Sequence, residues 1–208
     1  MNGRERLGAI FEGQLADRIP FALKGWRLPQ CQAERELRNR RMAILDSRPV
    51  YSVRSPNVHA ETCTYTRDGA NFRRVRIATP AGELSTLGQH GGGAKTEVNF
   101  WRLEFMFKGP EDYASLIAMY RDRSYAAEYD TLLRAEAELG EDAFFKTMAP
   151  GAPIHEIIYG IMGIERFAVE WSERRDEVLK LHRVISENQR RVYDIVAASP
   201  ARVVGCGG

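Results

Sequence analysis

The chain has 208 residues, of which 44% are hydrophobic and 28% are charged, and its formal net charge is +2. That length and apolar fraction predict one sizeable hydrophobic core, or at most two small ones. The near balance of charge argues against a polyanion-binding protein, because nucleic-acid binding is typical of chains with a strong basic surplus. We therefore expect no nucleic-acid partner.

Nothing in the sequence predicts a targeting or membrane-spanning segment. Residues 1–17 are charged throughout, and no stretch approaches the ~18 consecutive apolar residues of a spanning helix. The three cysteines, Cys31, Cys63 and Cys206, are odd in number and widely spaced, so they predict neither a disulfide scaffold nor a metal site. We expect a soluble cytoplasmic protein with no membrane contact.

The first quarter of the chain predicts alternating helices and strands. In order, these are a helix over 1–13, a buried strand over 19–23, a helix over 34–45 and a second strand over 50–53. The helix over 34–45 is predicted from the helical spacing of three apolar residues, Leu37, Ile44 and Leu45.

The segment 61–107 is β-rich and interrupts this alternation. Arg67-Asp68-Gly69-Ala70 is a strong hairpin signal, and Pro80-Ala81-Gly82-Glu83 predicts a second turn. The three glycines at 91–93 predict a flexible loop, and 99–107 alternates like a strand. We interpret the segment as an inserted β excursion.

Strand–helix alternation then returns in the second half of the chain. The predicted elements are helices over 110–120 and 126–140, a strand over 143–148, helices over 153–163, 165–171 and 176–198, and a strand over 202–206. Apolar strands that lack clean alternation favour a parallel sheet covered by helices.

The predicted fold class is α/β, a partial (β/α)8 TIM barrel with an inserted β-hairpin excursion. A closed barrel typically needs ~250 residues, and about four strand–helix units are present here. Residues 1–208 are thus expected to be the N-terminal part of a single barrel domain, with the excursion at about 61–107. Because an open barrel leaves strand edges unpaired, we expect the isolated chain to be unstable or to associate.

Two sequence motifs each lack one residue that their chemistry requires. His155-Glu156-Ile157-Ile158-Tyr159 starts like a zinc-protease helix, but Tyr159 stands where the second histidine is needed. The run from Gly91 to Thr96 hints at a phosphate-binding loop, but Ala94 precedes Lys95 where glycine is required. Neither motif predicts a metal or a nucleotide.

The carboxyl ends of the predicted strands hold the candidate ligand-binding residues, because parallel α/β folds build their sites there. Lys24 and Arg27 follow the first strand, and two cations there would bind a carboxylate or a phosphate. Gly151 and Pro153 follow the strand over 143–148 and lead into a helix N-terminus, which favours an anion. The sequence is equally compatible with an exposed loop at Lys24 and Arg27 and with a simple tight turn at Gly151 and Pro153.

The segment from Gly151 to Gly163 resembles the part of the uroporphyrinogen decarboxylase family that follows its third barrel strand. That family has Gly-Ala-Pro, a helix with a substrate-site tyrosine, then glycine; Tyr159 matches the tyrosine and Gly163 the glycine. Further stretches agree in the family's order. Residues 4–20 resemble its opening helix and first strand, 79–84 and 107–113 resemble its broader, divergent, methyltransferase-like branch, and 197–201, before the last predicted strand, is similar as well. The resemblance covers nearly the whole chain.

The resemblance implies a barrel enzyme of a lyase family in porphyrin biosynthesis, in which the decarboxylases use no metal or organic cofactor. It implies a tetrapyrrole as the small-molecule substrate. Association through the open barrel edges would give a homodimer. Tyr159 is then the catalytic residue, orienting the substrate by its hydroxyl. The implied substrate-binding residues are Lys24, Arg27, Gly151, Pro153 and His155.

The divergent branch of the family contains methyltransferases that use zinc and a corrinoid or coenzyme M. If the chain belongs there, its small molecule is a methyl donor, a corrinoid protein is a partner, and the zinc ligands lie beyond Gly208. No metal ligand is expected within this chain.

The sequence also departs from the decarboxylase pattern. The arginine-rich loop after the first strand is reduced to Lys24 and Arg27, and the aspartate expected after the second strand is not evident near Arg54-Ser55-Pro56. We therefore expect no turnover of uroporphyrinogen. A decarboxylase-like enzyme, a methyltransferase-like protein and a truncated non-catalytic remnant remain as alternatives.

Overall fold

The computed structural model describes residues 1–90 and 100–207, so the glycine loop predicted at 91–93 lies outside the described residues. In chain order the elements are α1 (Gly3–Phe11), β1 (Ala22–Leu23), a 3-10 turn (Gly25–Arg27), α2 (Gln32–Asn39), β2 (Ala43–Ser47), β3 (Tyr51–Arg54), β4 (His59–Arg67), β5 (Ala70–Thr79), β6 (Gly82–His90), β7 (Phe100–Glu104), α3 (Asp112–Arg121), β8 (Ser124–Ala127), α4 (Asp130–Leu139), β9 (Ala143–Ala149), α5 (Pro153–His155), a π-helix (Glu156–Met162), α6 (Ile164–Glu173), α7 (Arg175–Ala197) and β10 (Val204–Cys206).

These elements form two compact units, each assembled from separate stretches of the chain. The first unit contains Met1–Ser52, Ala126–Pro150 and Val192–Gly207. The second unit contains the described residues of Val53–Tyr125 and of Gly151–Arg191. β3 and β8 pair in a two-stranded sheet of their own.

A four-stranded sheet in the order β1-β2-β9-β10 forms the centre of the first unit, and all three strand pairs are parallel. Leu7 of α1 packs on one face of this sheet against Ala43 and Phe144. Gly3 allows this close approach, because a Cβ there would lie only 2.9 Å from the Cβ of Ala43. The predicted α/β class with a parallel sheet is confirmed.

The second parallel strand lies earlier in the chain than predicted. The helix predicted over 34–45 ends at Asn39, and Ile44 and Leu45 belong to β2. The strand predicted over 50–53 corresponds to β3, which pairs with β8 and not with the parallel sheet. The helix was predicted too long because Ile44 and Leu45 also fit helical spacing from Leu37. The strand predicted over 50–53 is confirmed as a strand, but its place as the second strand of the parallel sheet was wrong.

A Schellman motif ends α2 without the glycine that usually marks one. The Arg41 N–H donates to the Arg38 carbonyl at 2.8 Å, and the Met42 N–H donates to the Leu37 carbonyl at 3.0 Å. Arg41 itself adopts a left-handed conformation with a φ of 72°. A non-glycine residue in this position gives the sequence no helix-stop signal.

Two further predicted elements need correction. The strand predicted over 19–23 is reduced to β1, and Ile19 is 93% exposed, so this apolar residue is not part of a buried strand. The helix predicted from residue 126 begins at Asp130, because residues 124–127 form β8. The predicted helices at 1–13, 110–120, 165–171 and 176–198 and the strands at 143–148 and 202–206 are confirmed, with ends shifted by a few residues.

An antiparallel sheet in the order β4-β5-β6-β7 is the main sheet of the second unit. Asp68 and Gly69 both have positive φ values, 51° and 74°, as a two-residue turn between twisted strands requires. The hairpin predicted at Arg67-Asp68-Gly69-Ala70 is therefore confirmed, as is the turn before Gly82.

The hydrophobic core of the second unit joins this sheet to the helices. α3 packs against β6, where a Cβ on Gly82 would lie 2.7 Å from the Ser115 hydroxyl. The buried core residues are Leu84, Phe107, Tyr113, Leu116, Met119, Tyr120, Ile157, Ile161, Met162, Val178, Leu181, Val184 and Ile185.

Candidate functional site

The carboxyl ends of the four parallel strands lie along one edge of the sheet in the first unit. β1 ends at Leu23, β2 at Ser47, β9 at Ala149 and β10 at Cys206. Strand ends of this kind carry the ligand-binding groups of parallel α/β proteins. We call this edge the carboxyl edge.

Strand alternation divides the side chains of β2 and β9 between the two faces of the sheet. Leu45 faces α1, and Ser47, two residues further on, lies on the same face. Ser47 is the register partner of Lys146, and partners in parallel strands share a face. Ser47 and Lys146 therefore lie at the carboxyl edge, on the face of the sheet that α1 covers nearer the amino ends of the strands.

Lys146 is a half-buried cation in an otherwise uncharged strand. Its ammonium lies 3.3 Å from the point where a Cβ on Gly205 of β10 would stand. Within residues 1–90 and 100–207, no side chain pairs with this ammonium by an ion pair or a hydrogen bond. Lys146 thus offers an uncompensated positive charge to an anionic ligand.

Lys24 lies at the same edge, directly after β1. Its backbone is extended, with φ −74° and ψ 131°, so its side chain continues the alternation of β1 on the face of Ala22. Ala22 packs in the cluster that contains Leu7, which places Lys24 on the same face as Lys146. Arg27 is exposed, and its backbone N–H donates to the Lys24 carbonyl at 2.9 Å.

The other predicted site residues, Gly151, Pro153, His155 and Tyr159, belong to the second unit. Pro153 opens α5 as predicted, but this α-helical turn has three residues and continues as a π-helix. The N–H groups of His155 and Glu156 both donate to the Ala152 carbonyl, at 2.9 and 3.2 Å. These two donors are therefore already used within the turn.

Tyr159 lies in the π-helix with 66% of its surface exposed. Its ring packs edge-on against the ring of His155, with 4.4 Å between the centroids. The Arg102 guanidinium donates to the carbonyls of Tyr159 and Gly160 at 2.5 and 2.8 Å. Arg102 thus fixes the backbone of this irregular turn, while the Tyr159 hydroxyl remains accessible; π-helical turns are frequent at functional sites.

Two buried tyrosines in the second unit hold carboxylates that the sequence analysis did not single out. Tyr120 donates to Glu156 at 2.8 Å, and Tyr113 donates to the buried Glu170 at 3.1 Å. Burial, and then the neighbouring carboxylate, raises the pKa of both hydroxyls above the usual range. Both tyrosines therefore act as protonated donors. The hydrogen bond from Tyr120 fixes Glu156, the residue that follows His155.

A cavity of about 480 Å³ lies on the opposite face of the parallel sheet, beside α2. Its charged groups already neutralise one another. Arg48 pairs with Asp46 at 3.0 Å, and Arg38 pairs with Glu34 at 2.5 Å and with Asp142 at 3.1 Å. This cavity is a weaker candidate for an anionic ligand than the carboxyl edge.

The sequence analysis identified Lys24 and Arg27 but missed Lys146. The signal was a single lysine inside the apolar run Ala143–Ala149. A lysine is rarely buried in a strand unless it has a partner. Among the described residues, no group of three or more Cys, His, Asp or Glu side chains is placed to bind a metal ion.

Among the described helices, none is both long and apolar enough to cross a bilayer. Comparison of the chain with protein-family models, with curated proteins and with solved structures finds no significant match in any of the three.

Proposed function

We propose that this chain is a uroporphyrinogen decarboxylase-like barrel domain that binds a carboxylate-bearing tetrapyrrole, without being a true uroporphyrinogen decarboxylase. The observation that carries the proposal is the pair of lysines, Lys24 and Lys146, on one face of the carboxyl edge. The resemblance of the segment from Gly151 to Gly163 supplies the family.

The order of the parallel sheet supports the barrel part of the proposal. β1, β2, β9 and β10 follow one another across the sheet in the order in which they occur in the chain. Successive strands are neighbours in a (β/α)8 barrel, whereas the strand order reverses at a switch point in doubly wound sheets. A singly wound order therefore favours the barrel over the doubly wound alternative.

The charge at the carboxyl edge supports an acidic ligand. Two ammonium groups and the nearby Arg27 give a local positive charge in a chain with a net charge of only +2. Charge-assisted hydrogen bonds to carboxylates are about twice as strong as neutral ones. In the proposal, Lys24, Arg27 and Lys146 bind the acidic side chains of the ligand.

The second unit contributes a separate part of the proposal. The exposed hydroxyl of Tyr159 orients a ligand by hydrogen bonding, and Gly151, Pro153 and His155 form the segment that presents it. Arg102 holds the backbone of that segment, so the position of Tyr159 does not depend on the ligand. Tyr159→Phe tests this part without disturbing the lysines.

Fluorescence titration with uroporphyrin I, a stable tetrapyrrole with eight carboxylates, tests the proposal. We expect saturable binding that weakens as salt is raised, because the contacts are ionic. The octamethyl ester of the same porphyrin is the matched control, since it keeps the ring and loses the charges. Equal binding of acid and ester, or no binding of either, would reject the proposal.

Turnover is measured separately with uroporphyrinogen under reducing conditions. We expect no coproporphyrinogen, because Asp46, the acidic residue of β2, pairs with Arg48 on the opposite face from Lys146. Coproporphyrinogen formation above the uncatalysed rate would make the chain a true decarboxylase and contradict that part of the proposal.

A further inference from the structure

The outer edge of β4 has no partner strand among the described residues of the second unit. β4 is the first strand of the antiparallel sheet, and all nine of its residues, His59–Arg67, are exposed. Across the described ranges, 1–90 and 100–207, no residue pairs with the side of β4 that faces away from β5. A long edge strand with free N–H and C=O groups is a template for another strand.

The composition of β4 favours such pairing. Five consecutive residues, Thr62–Thr66, carry no charge and consist of three threonines, a cysteine and a tyrosine. Threonine and tyrosine have high β-propensity, and edges that avoid pairing usually carry charges or proline at their centre. Apart from His59, the charged residues of β4 are Glu61 and Arg67, which flank this stretch.

We propose that β4 pairs antiparallel with β4 of a second copy of this chain, about a two-fold axis at Thr64. In that register Glu61 faces the partner's Arg67, and Arg67 faces the partner's Glu61. Thr62 faces the partner's Thr66, and Cys63 faces the partner's Tyr65. The two four-stranded sheets then form one continuous sheet of eight strands.

Charge complementarity selects this register from its neighbours. A two-fold axis perpendicular to the sheet must pass through a residue, because facing side chains have to lie on the same face. An axis at Cys63 would place Arg67 against the partner's His59 and Glu61 against the partner's Tyr65. An axis at Tyr65 would place Arg67 against the partner's Cys63. Of these three axes, the one at Thr64 places the negative Glu61 against the positive Arg67 of the partner.

The charge of Arg67 is available for the contact. Arg67 contacts Asp68 at 3.5 Å, but both side chains are mostly exposed, at 77% and 90%, so solvent screens that pair. Opposite charges on facing strand positions stabilise strand pairing, so Arg67 would contact the partner's Glu61. The inference does not depend on the proposed ligand of the first unit.

Sedimentation velocity of the full chain over a range of concentrations tests the proposal. We expect a monomer–dimer equilibrium. Glu61→Arg and Arg67→Glu should each raise the dissociation constant about tenfold, because each creates two like-charge pairs. The double variant E61R/R67E should restore the wild-type value, since it exchanges the charges and keeps them opposed.

Two exposed residues of α7 provide matched controls, Glu187→Arg and Arg190→Glu, which should leave the dissociation constant unchanged. A chain that stays monomeric at the highest concentration would overturn the proposal. So would equal dimerisation of all variants, or a double variant no better than the singles. Protection from hydrogen exchange, in the monomer, of the β4 amides that point away from β5 would identify another segment of this chain as the occupant and would also overturn it.

A cross-link tests the register even if a charge variant fails to fold. Thr64→Cys, with the three native cysteines changed to serine, places one thiol on each side of the proposed axis. Facing Cα atoms in an antiparallel pair are about 4.5 or 5.5 Å apart, and both distances suit a disulfide. We expect a covalent dimer on mild oxidation, and Thr86→Cys of β6 in the same background should give none. A dimer that does not cross-link at Thr64 would overturn the register.

Discussion

The hydroxyl of Tyr113 donates a hydrogen bond of 3.1 Å to Glu170, whose side chain is completely buried. The other carboxylate oxygen accepts from the Arg174 guanidinium, also at 3.1 Å. Because both oxygens have a donor, the buried charge is compensated on both sides. The contact ties α3 to α6 within the second unit.

Glu170→Ala should lower the free energy of unfolding by about 2–4 kcal/mol, since it leaves the Tyr113 hydroxyl and the Arg174 guanidinium without their partner. Tyr113→Phe should cost about 1–2 kcal/mol, because it removes one hydrogen bond and keeps the ring. Urea denaturation measures both changes.

The control for this pair is Glu173→Ala, which removes a neighbouring contact to Arg174 at 2.9 Å from a mostly exposed position. Its effect should stay below about 1 kcal/mol, as for other exposed ion pairs. A Glu170→Ala variant as stable as Glu173→Ala would contradict the role given to the buried carboxylate.

Arg41→Gly should stabilise the first unit by about 0.5–1 kcal/mol. Arg41 holds the left-handed position of the Schellman motif, where glycine avoids the Cβ penalty. Arg40→Gly is the matched control and should destabilise by a similar amount, because Arg40 has a φ of −86°. Thermal unfolding of both variants checks the prediction, and a loss of stability in Arg41→Gly would contradict it.

The same residue explains why part of the fold was not predictable from the sequence. The hairpin at Asp68-Gly69 and the long helix α7 carry strong local signals, and both were predicted. The boundary between α2 and β2 depends on an arginine in a conformation that glycine usually takes, so the helix was extended through Ile44. Hydrophobic spacing alone could not separate the two elements.

Acid should destabilise the chain partly through Asp17. The Arg6 guanidinium donates to the Asp17 carboxylate at 2.5 Å, and this hydrogen bond holds the pKa of Asp17 well below its usual value. A carboxyl whose folded pKa is lowered contributes stability above its unfolded pKa of about 3.9, and that contribution is lost as the pH falls toward the folded pKa.

Asp17→Asn should therefore be less stable than the wild type at pH 7, and the difference should shrink below about pH 4. Urea denaturation at pH 7, 5, 4 and 3 measures this. Asp68→Asn, at a 90% exposed side chain, is the control and should parallel the wild type. A difference between Asp17→Asn and the wild type that stays constant down to pH 3 would rule out the linkage.

The candidate site was predictable only in part. Lys24 and Arg27 follow a short apolar run, and that local pattern predicted cations at a strand end. Lys146 becomes informative only when the register of β2 with β9 shows which face it shares, and register is a tertiary property. The carboxylate partners of Tyr113 and Tyr120 lie 57 and 36 residues away in the chain, and no spacing rule connects them.

The central claim, that the carboxyl edge binds a carboxylate-bearing ligand through its lysines, is tested most directly by uroporphyrin I titration of Lys146→Gln. We expect about a tenfold loss of affinity, since one charge-assisted hydrogen bond is worth at least about 1.5 kcal/mol. Lys180→Gln, at an exposed lysine that pairs with Glu177, should bind like the wild type. Unchanged affinity in Lys146→Gln, or an equal loss in Lys180→Gln, would contradict the account.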